Sequence, residues 1–365
     1  HRVSQTVWII GAGILSAVNV DVCIRAIFRC TFGNTRNLCS TNLKRKHRVS
    51  QTVWIIGAGI LSAVYVDVLR DLGYSPLIVG RGRDNAKKLN EEKQVPVIQG
   101  GLEAFLATRP ELPVAACVVT GVEALSDTAG QLVDYGVRDI LCEKPGALNE
   151  EGLKRLAAKV SKNKARCIIG YNRRCYSATQ TARRMLAKDG GVTSFSFEFT
   201  EWSDRLRDLK KAPGVLEAFG LGNSSHVMDL AFFLGGWPQD LTTHVKGKNV
   251  LHWHPAGSAF AGSGVSTSGA VFSYIANWDA PGRWGVEVMS RNLRMIFRPM
   301  EELHIVRRGS VRIEKVEIDD AIDCRFKHGI HLQLQRFLAK EDDDLCKLED
   351  QLRHWRFYAA IAGYT

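Results

Sequence analysis

The stretch TVWIIGAGILSAVYVDVLRDLG, residues 52–73, joins a short apolar run to a glycine turn and a helical pattern. The run Thr52–Ile56 is too short for a helix and is ended by glycine, which indicates a buried strand. Residues Ile60–Leu72 have the periodicity of a helix, which closes on Gly73. A strand, a glycine turn and a helix in this order are typical of a dinucleotide-binding unit.

The glycines of this turn have the spacing that such a unit needs. Gly57 permits the tight turn, and Gly59 lets the backbone approach a pyrophosphate at the positive end of the helix. Ser62 stands where a third glycine is usual, and its small side chain weakens the match without removing it.

The end of the next strand bears on the choice of cofactor. Residues 80–84 read Gly-Arg-Gly-Arg-Asp, where an NAD-specific site would place a carboxylate for the ribose hydroxyls. Because Arg81 can pair with a 2′-phosphate, we favour NADP over NAD. In the alternative, the arginines are solvated and Asp84 serves NAD.

The pattern along the chain divides into two halves. Strands and helices alternate between residues 52 and 144, whereas alternating strand patterns follow one another from Val192 onward. We therefore predict an α/β protein. A Rossmann domain with a doubly wound parallel sheet spans residues 47–165, and an α+β domain with an open, mostly antiparallel sheet spans residues 166–365.

Residues 1–46 precede this unit and carry a partial repeat. Residues 1–22 recur at 47–68 with Asn19 replaced by Tyr65 as the sole difference. The first copy does not continue into a second strand, so we interpret 1–46 as an appended segment, an artefact of duplication or of the gene model. The alternatives are a targeting peptide and a short membrane anchor.

Composition and charge limit the partners. The net charge is +11, but residues 1–46 hold seven Lys and Arg and one acidic residue, so the other 319 residues carry only +5, with no basic run. This modest and dispersed charge argues against a nucleic acid as the partner. No stretch of 18 apolar residues occurs and the cysteines have no metal-ligand spacing, so we predict no membrane span, no metal and a cytoplasmic protein with reduced thiols.

The sequence Cys142-Glu143-Lys144-Pro145-Gly146 follows the predicted strand Asp139–Cys142. A lysine before proline has a stiff, extended backbone, so its ammonium group can be aimed into the cleft at the strand end. There Lys144 would lie beside a nicotinamide ring with a lowered pKa and exchange the proton of a carbinol.

A second set of polar residues lies on a later helix. His226 and Asp229 share one helix face at i, i+3 and are preceded by Asn223, which suits an acid/base pair facing a polyol. Asp229 either orients and charges His226 or stabilises the helix. Arg173 and Arg174 either line the cleft and bind a phosphate or carboxylate, or begin a helix with salt bridges.

These motifs together resemble the Gfo/Idh/MocA oxidoreductases, named for glucose–fructose oxidoreductase, inositol dehydrogenase and a rhizopine-catabolism protein. The resemblance rests on Gly57-Ala58-Gly59, Cys142–Pro145, residues 170–174 and Ser225-His226-x-x-Asp229-Leu230, and it spans about 52–365. It implies that Lys144 is the catalytic lysine and His226 the acid/base, and that the C-terminal sheet forms a homodimer or tetramer.

The sequence departs from the family pattern at three points. The usual aspartate four residues before the histidine falls on Gly222, next to Asn223. The usual Thr-Pro after the fourth strand is Thr120-Gly121, and Arg81 replaces the acid after the second strand.

We therefore predict an NAD(P)-dependent dehydrogenase or reductase that acts on a sugar, polyol or related carbonyl. The alternatives are a non-catalytic dinucleotide-binding sensor or assembly subunit, and an enzyme that uses transient oxidation for elimination or glycoside cleavage. Lys144, His226, Asp229 and Asn223 are the candidate catalytic residues, and Arg173, Arg174, Asn223 and His226 the candidate substrate-binding residues. The candidate cofactor-binding residues are Gly57, Gly59, Ile60, Leu61, Arg81, Thr120, Glu143 and Lys144.

Overall fold

A computed structural model describes residues 51–364 of the chain. The first copy of the repeat and the appended segment 1–46 lie outside the described residues.

The first sheet has seven strands, numbered here in chain order. Side by side they are β15 (Cys346–Lys347), β6 (Arg166–Gly170), β5 (Asp139–Glu143), β4 (Ala115–Val118), β1 (Thr52–Ile56), β2 (Ser75–Val79) and β3 (Val97–Ile98). All neighbours pair in parallel except β15, which is antiparallel to β6. The predicted doubly wound parallel sheet is confirmed.

The second sheet has eight strands and is open. In spatial order they are β14 (Glu314–Lys315), β13 (His304–Arg307), β12 (Leu293–Phe297), β11 (Trp284–Met289), β7 (Ser194–Phe199), β10 (Val271–Asn277), β9 (Ala259–Ser266) and β8 (Pro238–Lys246). One pair, β7 with β10, is parallel and the others are antiparallel. The mostly antiparallel sheet predicted for the C-terminal half is confirmed.

Helices cover both faces of the first sheet and one face of the second. They are α1 (Ile60–Asp71), α2 (Arg83–Lys93), α3 (Gly101–Ala107), α4 (Leu125–Tyr135), α5 (Glu150–Lys162), α6 (Ser177–Lys188), α7 (Ser203–Leu206), α8 (Ser225–Gly235), α9 (Ala321–Arg325), α10 (Ile330–Ala339) and α11 (Leu348–Ile361). Asn149 caps the start of α5, because its side chain accepts a hydrogen bond from the backbone N–H of Gly152 at 2.9 Å.

The C-terminal helix begins later than its apolar pattern predicts. Leu345, Leu348, Leu352 and Trp355 share one face of a helical pattern that predicts a start at Asp343. In the structure Cys346–Lys347 form β15 against β6, and α11 starts at Leu348. Hydrogen bonding to an open sheet edge overrides the helical periodicity here. β6 also lies within the first sheet, so this sheet extends past the domain boundary predicted after residue 165.

Helix α8 places the functional segment against the second sheet. It packs on β7 and β11, and Phe232 meets Phe195 and Phe197 edge to face at ring-centroid distances of 6.0 and 5.5 Å. A turn of π-helix, Gly220–Ser224, leads directly into α8 and faces the end of β5. The fold thus brings the Lys144 loop and the His226 helix to one cleft.

Within residues 51–364 no helix is long and apolar enough to cross a membrane. The same part of the chain contains no group of three or more His, Cys, Asp or Glu side chains arranged to hold a metal ion. Five of its six cysteines are buried, and Cys324 is exposed.

Candidate active site

The glycine turn is held in the shape that a dinucleotide needs. Gly57 has φ +125°, and a Cβ there would lie 2.7 Å from the carbonyl oxygen of Val119. Ser62 Oγ donates to the Gly57 carbonyl at 2.8 Å and accepts from the Gly59 N–H at 3.2 Å. The serine at the third glycine position therefore ties the turn to the first turn of α1, and the space beside Gly59 is open to 4 Å.

Two cavities lie along the ends of the parallel strands, with volumes of about 460 and about 330 Å³. All eight predicted cofactor-binding residues line them. The larger cavity is lined by Gly59, Ile60, Leu61, Thr120, Glu143 and Lys144, and the smaller by Gly57, Arg81 and Thr120. A glycine cradle that a Cβ would fill, at the N-terminus of α1, fits the pyrophosphate of a nicotinamide dinucleotide.

The smaller cavity combines opposite charges. Arg81 is exposed, and its aliphatic stem packs against Gly101, where a Cβ would meet Arg81 Cγ at 2.9 Å. Glu103, Glu123 and Asp127 line the same cavity. It therefore offers a guanidinium group for a phosphate and carboxylates for hydroxyl groups.

Lys144 is buried, with 5% of its surface exposed, and reaches across the cleft. Its Nζ donates a hydrogen bond of 2.5 Å to the carbonyl oxygen of Gly222. Burial lowers the pKa of Lys144 from 10.5 to about 8; the carboxylates of Glu143 and Glu201 oppose this shift, while the cations of Arg173 and Lys327 reinforce it. At neutral pH a fraction of Lys144 is therefore an uncharged amine able to accept a proton.

Glu143 is oriented by a residue of α1. The hydroxyl group of the buried Tyr65 donates to Glu143 Oε1 at 2.7 Å. This contact fixes the carboxylate beside Lys144, on the wall of the larger cavity.

His226 is buried near Lys144 and is held in its neutral form. Its ring lies edge to face with Tyr171 at 6.0 Å and 6.4 Å from the ring of Trp284. Burial lowers the pKa of His226 well below 6.5, and the cations of Arg173 and Lys144 add to the effect. Its Nδ1 is buried and has no hydrogen-bond partner among the described residues.

Asp229 and Arg174 do not join this group. Arg174 donates to both carboxylate oxygens of Asp229, at 2.8 and 2.6 Å, and Tyr358 donates to the same carboxylate at 3.1 Å. Of the two roles considered for Asp229, the contacts support the structural one, because this ion pair engages the carboxylate. Arg174 is engaged by the same ion pair.

Arg173, by contrast, is buried close enough to Lys144 and His226 for its charge to lower the pKa of both. Its guanidinium carbon is 4.8 Å from the centre of the Trp284 ring, and Nε is buried without a hydrogen-bond partner among residues 51–364. Within that part of the chain Arg173 forms no ion pair with a carboxylate within 4.0 Å. A buried, unpaired guanidinium beside Lys144 is suited to a polar or anionic group of a ligand.

Asn223 leads to a carboxylate that the sequence analysis missed. Its Nδ2 donates to Glu201 Oε1 at 3.1 Å, and Ser224 Oγ and Trp284 Nε1 donate to the same oxygen at 2.7 and 3.1 Å. Glu201 follows β7 by two residues and is 2% exposed. The position of Glu201 just after a predicted strand could have indicated it, because the same kind of position indicated Lys144.

Lys327 was also missed. Burial lowers its pKa, with Glu143 opposing and Arg173 reinforcing the shift. It comes from the loop between α9 and α10, far from the motifs in sequence, and no pattern in the sequence indicates its position.

Comparison with known proteins shows which family and which folds this chain is similar to. Residues 51–171 match the Gfo/Idh/MocA family profile, described as the oxidoreductase family with an NAD-binding Rossmann fold. The predicted resemblance to these oxidoreductases is confirmed. A search of curated protein sequences gives no match to the chain.

Solved structures share the whole fold. UDP-N-acetylglucosamine 3-dehydrogenase from Acidithiobacillus ferrooxidans is 17% identical, with 86% of this chain and 97% of that chain covered and a TM-score of 0.65. Levoglucosan dehydrogenase, solved with NADH and levoglucosan, is 14% identical, with coverage of 86% and 96% and a TM-score of 0.67. A putative NADPH-dependent oxidoreductase from Desulfitobacterium hafniense is 17% identical, with coverage of 86% and 95% and a TM-score of 0.69.

Proposed function

We propose that this chain is an NAD(P)-dependent dehydrogenase or reductase that acts on the CH–OH group of a sugar or polyol, or on the corresponding carbonyl. The observation that carries the proposal is the buried Lys144, whose pKa is lowered to about 8 on the wall of a cavity that begins at the glycine turn. The sugar substrates named for the similar structures support the substrate class.

The nicotinamide group, when bound, supplies the acceptor or donor of the hydride. Lys144 in its neutral form accepts the hydroxyl proton during oxidation and returns it during reduction. His226, whose pKa is lowered well below 6.5, stays uncharged at neutral pH and assists by hydrogen bonding to the substrate oxygen. Asn223 orients the site through Glu201.

We assign substrate binding to Arg173 and not to Arg174. Arg173 is stacked on Trp284 with an unpaired Nε, whereas Arg174 is paired with Asp229. A carboxylate, phosphate or hydroxyl group of the substrate would complete the hydrogen bonding of Arg173.

We propose NADP as the preferred cofactor and NAD as a weaker alternative. Arg81 lines the cavity beside the end of β2 and offers a partner for a 2′-phosphate. Glu103, Glu123 and Asp127 limit the preference, because their negative charges repel the same phosphate.

The protein is proposed to work as a cytoplasmic homodimer or tetramer through the second sheet. Val271 and Ile275 on the outer face of β10 are 56% and 60% exposed, which is unusual for β-branched apolar side chains on one strand. A second copy of the chain covering this face would bury them.

Thermal unfolding of the chain with NADPH, with NADH or with neither tests the proposal. A dinucleotide at 100 times its dissociation constant adds about 2.7 kcal/mol of stability, which raises the midpoint by roughly 2–4 °C for a chain of this size. No shift with either dinucleotide, in a folded protein, would contradict the function proposed here.

A further inference from the structure

We infer that Glu201 is a second proton-exchanging group of this site, the relay that takes the substrate's hydroxyl proton on from Lys144. This inference rests on the proposed function and adds a residue to it. Glu201 lies two residues after β7 and is buried. It is held by Asn223 and Ser224, the two residues that follow the Gly222 carbonyl to which Lys144 donates its hydrogen bond.

The hydrogen bonds of Glu201 are unusual for a buried carboxylate. Three donors, the side chains of Asn223, Ser224 and Trp284, all bond to Oε1. Each donor is electrically neutral, and none of these bonds reaches Oε2. The three hydrogen bonds fix the orientation of the carboxylate, and Oε2 receives none of them.

No cation within residues 51–364 forms an ion pair with Glu201, although Lys144 and Arg283 lie near enough to act on its charge. The other buried carboxylate described above, Asp229, is by contrast held by Arg174. An ionised carboxylate out of water without a paired cation is unfavourable, so such a group binds a proton readily. Buried carboxyl groups without a paired cation are typical of functional acids near an active site.

Burial and the charges around Glu201 act in opposite directions on its pKa. Arg283 precedes β11, Lys144 follows β5, and the donors from the π-helical turn and from β11 carry no charge. Burial raises the pKa of Glu201 to about 7, against the opposing effects of Ser224 and Arg283. The pKa of Lys144 is lowered to about 8, so the proton affinities of the two groups that meet at the segment Gly222–Ser224 are close enough for transfer in either direction.

The relay carries one proton from the substrate to water. Oxidation of the CH–OH group breaks its C–H and O–H bonds and forms a C=O bond, and the hydride passes to the oxidised nicotinamide of the proposed function. The hydroxyl proton goes to the neutral amine of Lys144, which becomes an ammonium group. Glu201 accepts this proton, becomes a carboxylic acid and releases the proton to water, and Lys144 is again neutral.

The first test is the pH dependence of kcat/KM for oxidation in the wild-type chain and in Glu201→Gln. Glutamine keeps an acceptor for the three donors but does not titrate. We expect the variant to lose about 10²-fold or more in kcat and to lose the limb near pH 7, keeping only the rise near pH 8. Glu217→Gln, at an exposed glutamate, is the control and should keep both limbs. A wild-type profile in Glu201→Gln would overturn the inference.

The second test is chemical rescue. In Glu201→Ala, formate should restore turnover in proportion to its concentration, because the vacated space admits a small carboxylate. Lys144→Met, which lacks the group that first takes the proton, should show no rescue. Failure of formate to rescue a folded Glu201→Ala that still binds the dinucleotide would count against a relay and favour a structural role.

A third measurement separates this inference from the proposed function, since it needs no substrate. The stability of Glu201→Gln relative to wild type should rise between pH 4.5 and 7 and then level off, because the carboxyl group is protonated more easily in the folded chain. A flat difference would overturn the relay even if the enzyme is active. Absence of dinucleotide binding would overturn the proposed function itself, and the relay with it.

Discussion

The ammonium group of Lys144 lies 2.5 Å from the carbonyl oxygen of Gly222, so a lysine of the first sheet is held by the backbone of the π-helical turn before α8. Gly222 is the position where the resembled family carries an aspartate. A neutral carbonyl oxygen therefore faces the lysine, and the nearest carboxylates that act on its charge are Glu143 and Glu201.

Replacing Lys144 by methionine should stabilise the chain at pH 7. The pKa of Lys144 is lowered from 10.5 to about 8, so the unfolded chain binds more protons between these pH values. Wild-type stability relative to the variant therefore rises from pH 8 to about 10.5. The variant's advantage is at most about 3 kcal/mol below pH 8 and vanishes at the upper end.

Urea unfolding at pH 7 and pH 10 measures this difference. Lys162→Met, at an exposed position of α5, is the control and should show no such pH dependence. A Lys144→Met variant that is less stable than wild type at pH 7, and for which this deficit shrinks at pH 10, would contradict the predicted direction of the pH dependence.

Arg173 and Arg174 are neighbours in sequence but should respond differently to substitution. Arg174→Gln leaves the buried Asp229 without its cation and should cost about 3–5 kcal/mol of stability. Arg173→Gln removes an unpaired guanidinium, so it should change stability little and raise KM instead. Urea unfolding combined with steady-state kinetics distinguishes the two, and equal destabilisation by both would contradict the assignment.

Arg81→Ala should weaken NADPH binding and leave NADH binding nearly unchanged. Loss of hydrogen bonds to a charged 2′-phosphate corresponds to roughly 1.5–3 kcal/mol, or about 10- to 150-fold in the dissociation constant. Arg83→Ala is the matched control, because Arg83 is exposed and does not line the cavity. Isothermal titration with both dinucleotides gives the comparison, and an equal loss for NADH would remove Arg81 from this role.

Gly57 and Gly59 of the glycine turn provide a paired test of its geometry. Gly57→Ala places a Cβ 2.7 Å from the Val119 carbonyl oxygen at φ +125°, so we expect a loss of about 1–3 kcal/mol or more without cofactor. Gly59→Ala meets nothing within 4 Å and should leave the stability of the cofactor-free chain nearly unchanged. Thermal unfolding of both variants checks this, and the reverse order would contradict the geometry of the turn.

The sequence predicted the fold well where local patterns and tertiary packing agree. Thr52–Ile56 is a strand and Ile60–Asp71 a helix because an apolar run, a glycine turn and a helical period coincide there. The start of α11 was wrong because β15 pairs with a strand about 180 residues earlier, and no local pattern carries that pairing.

The candidate site was predicted in part, for a similar reason. Lys144 and His226 sit in recognisable motifs and share the cleft. Glu201 and Lys327 belong to no motif, and the pairing of Asp229 with Arg174 depends on a contact between distant segments. Which of two adjacent arginines faces the cleft is set by packing and cannot be read from their order in the chain.

The most direct test of the account is the formation of reduced nicotinamide by wild type and Lys144→Met on a panel of sugars, sugar acids and polyols. The account predicts that wild type reduces the cofactor with at least one compound. With that compound Lys144→Met should be slower by about 10²–10⁴-fold at a dinucleotide concentration that saturates the variant. Near-normal turnover in Lys144→Met, or no turnover by wild type with any compound, would contradict it.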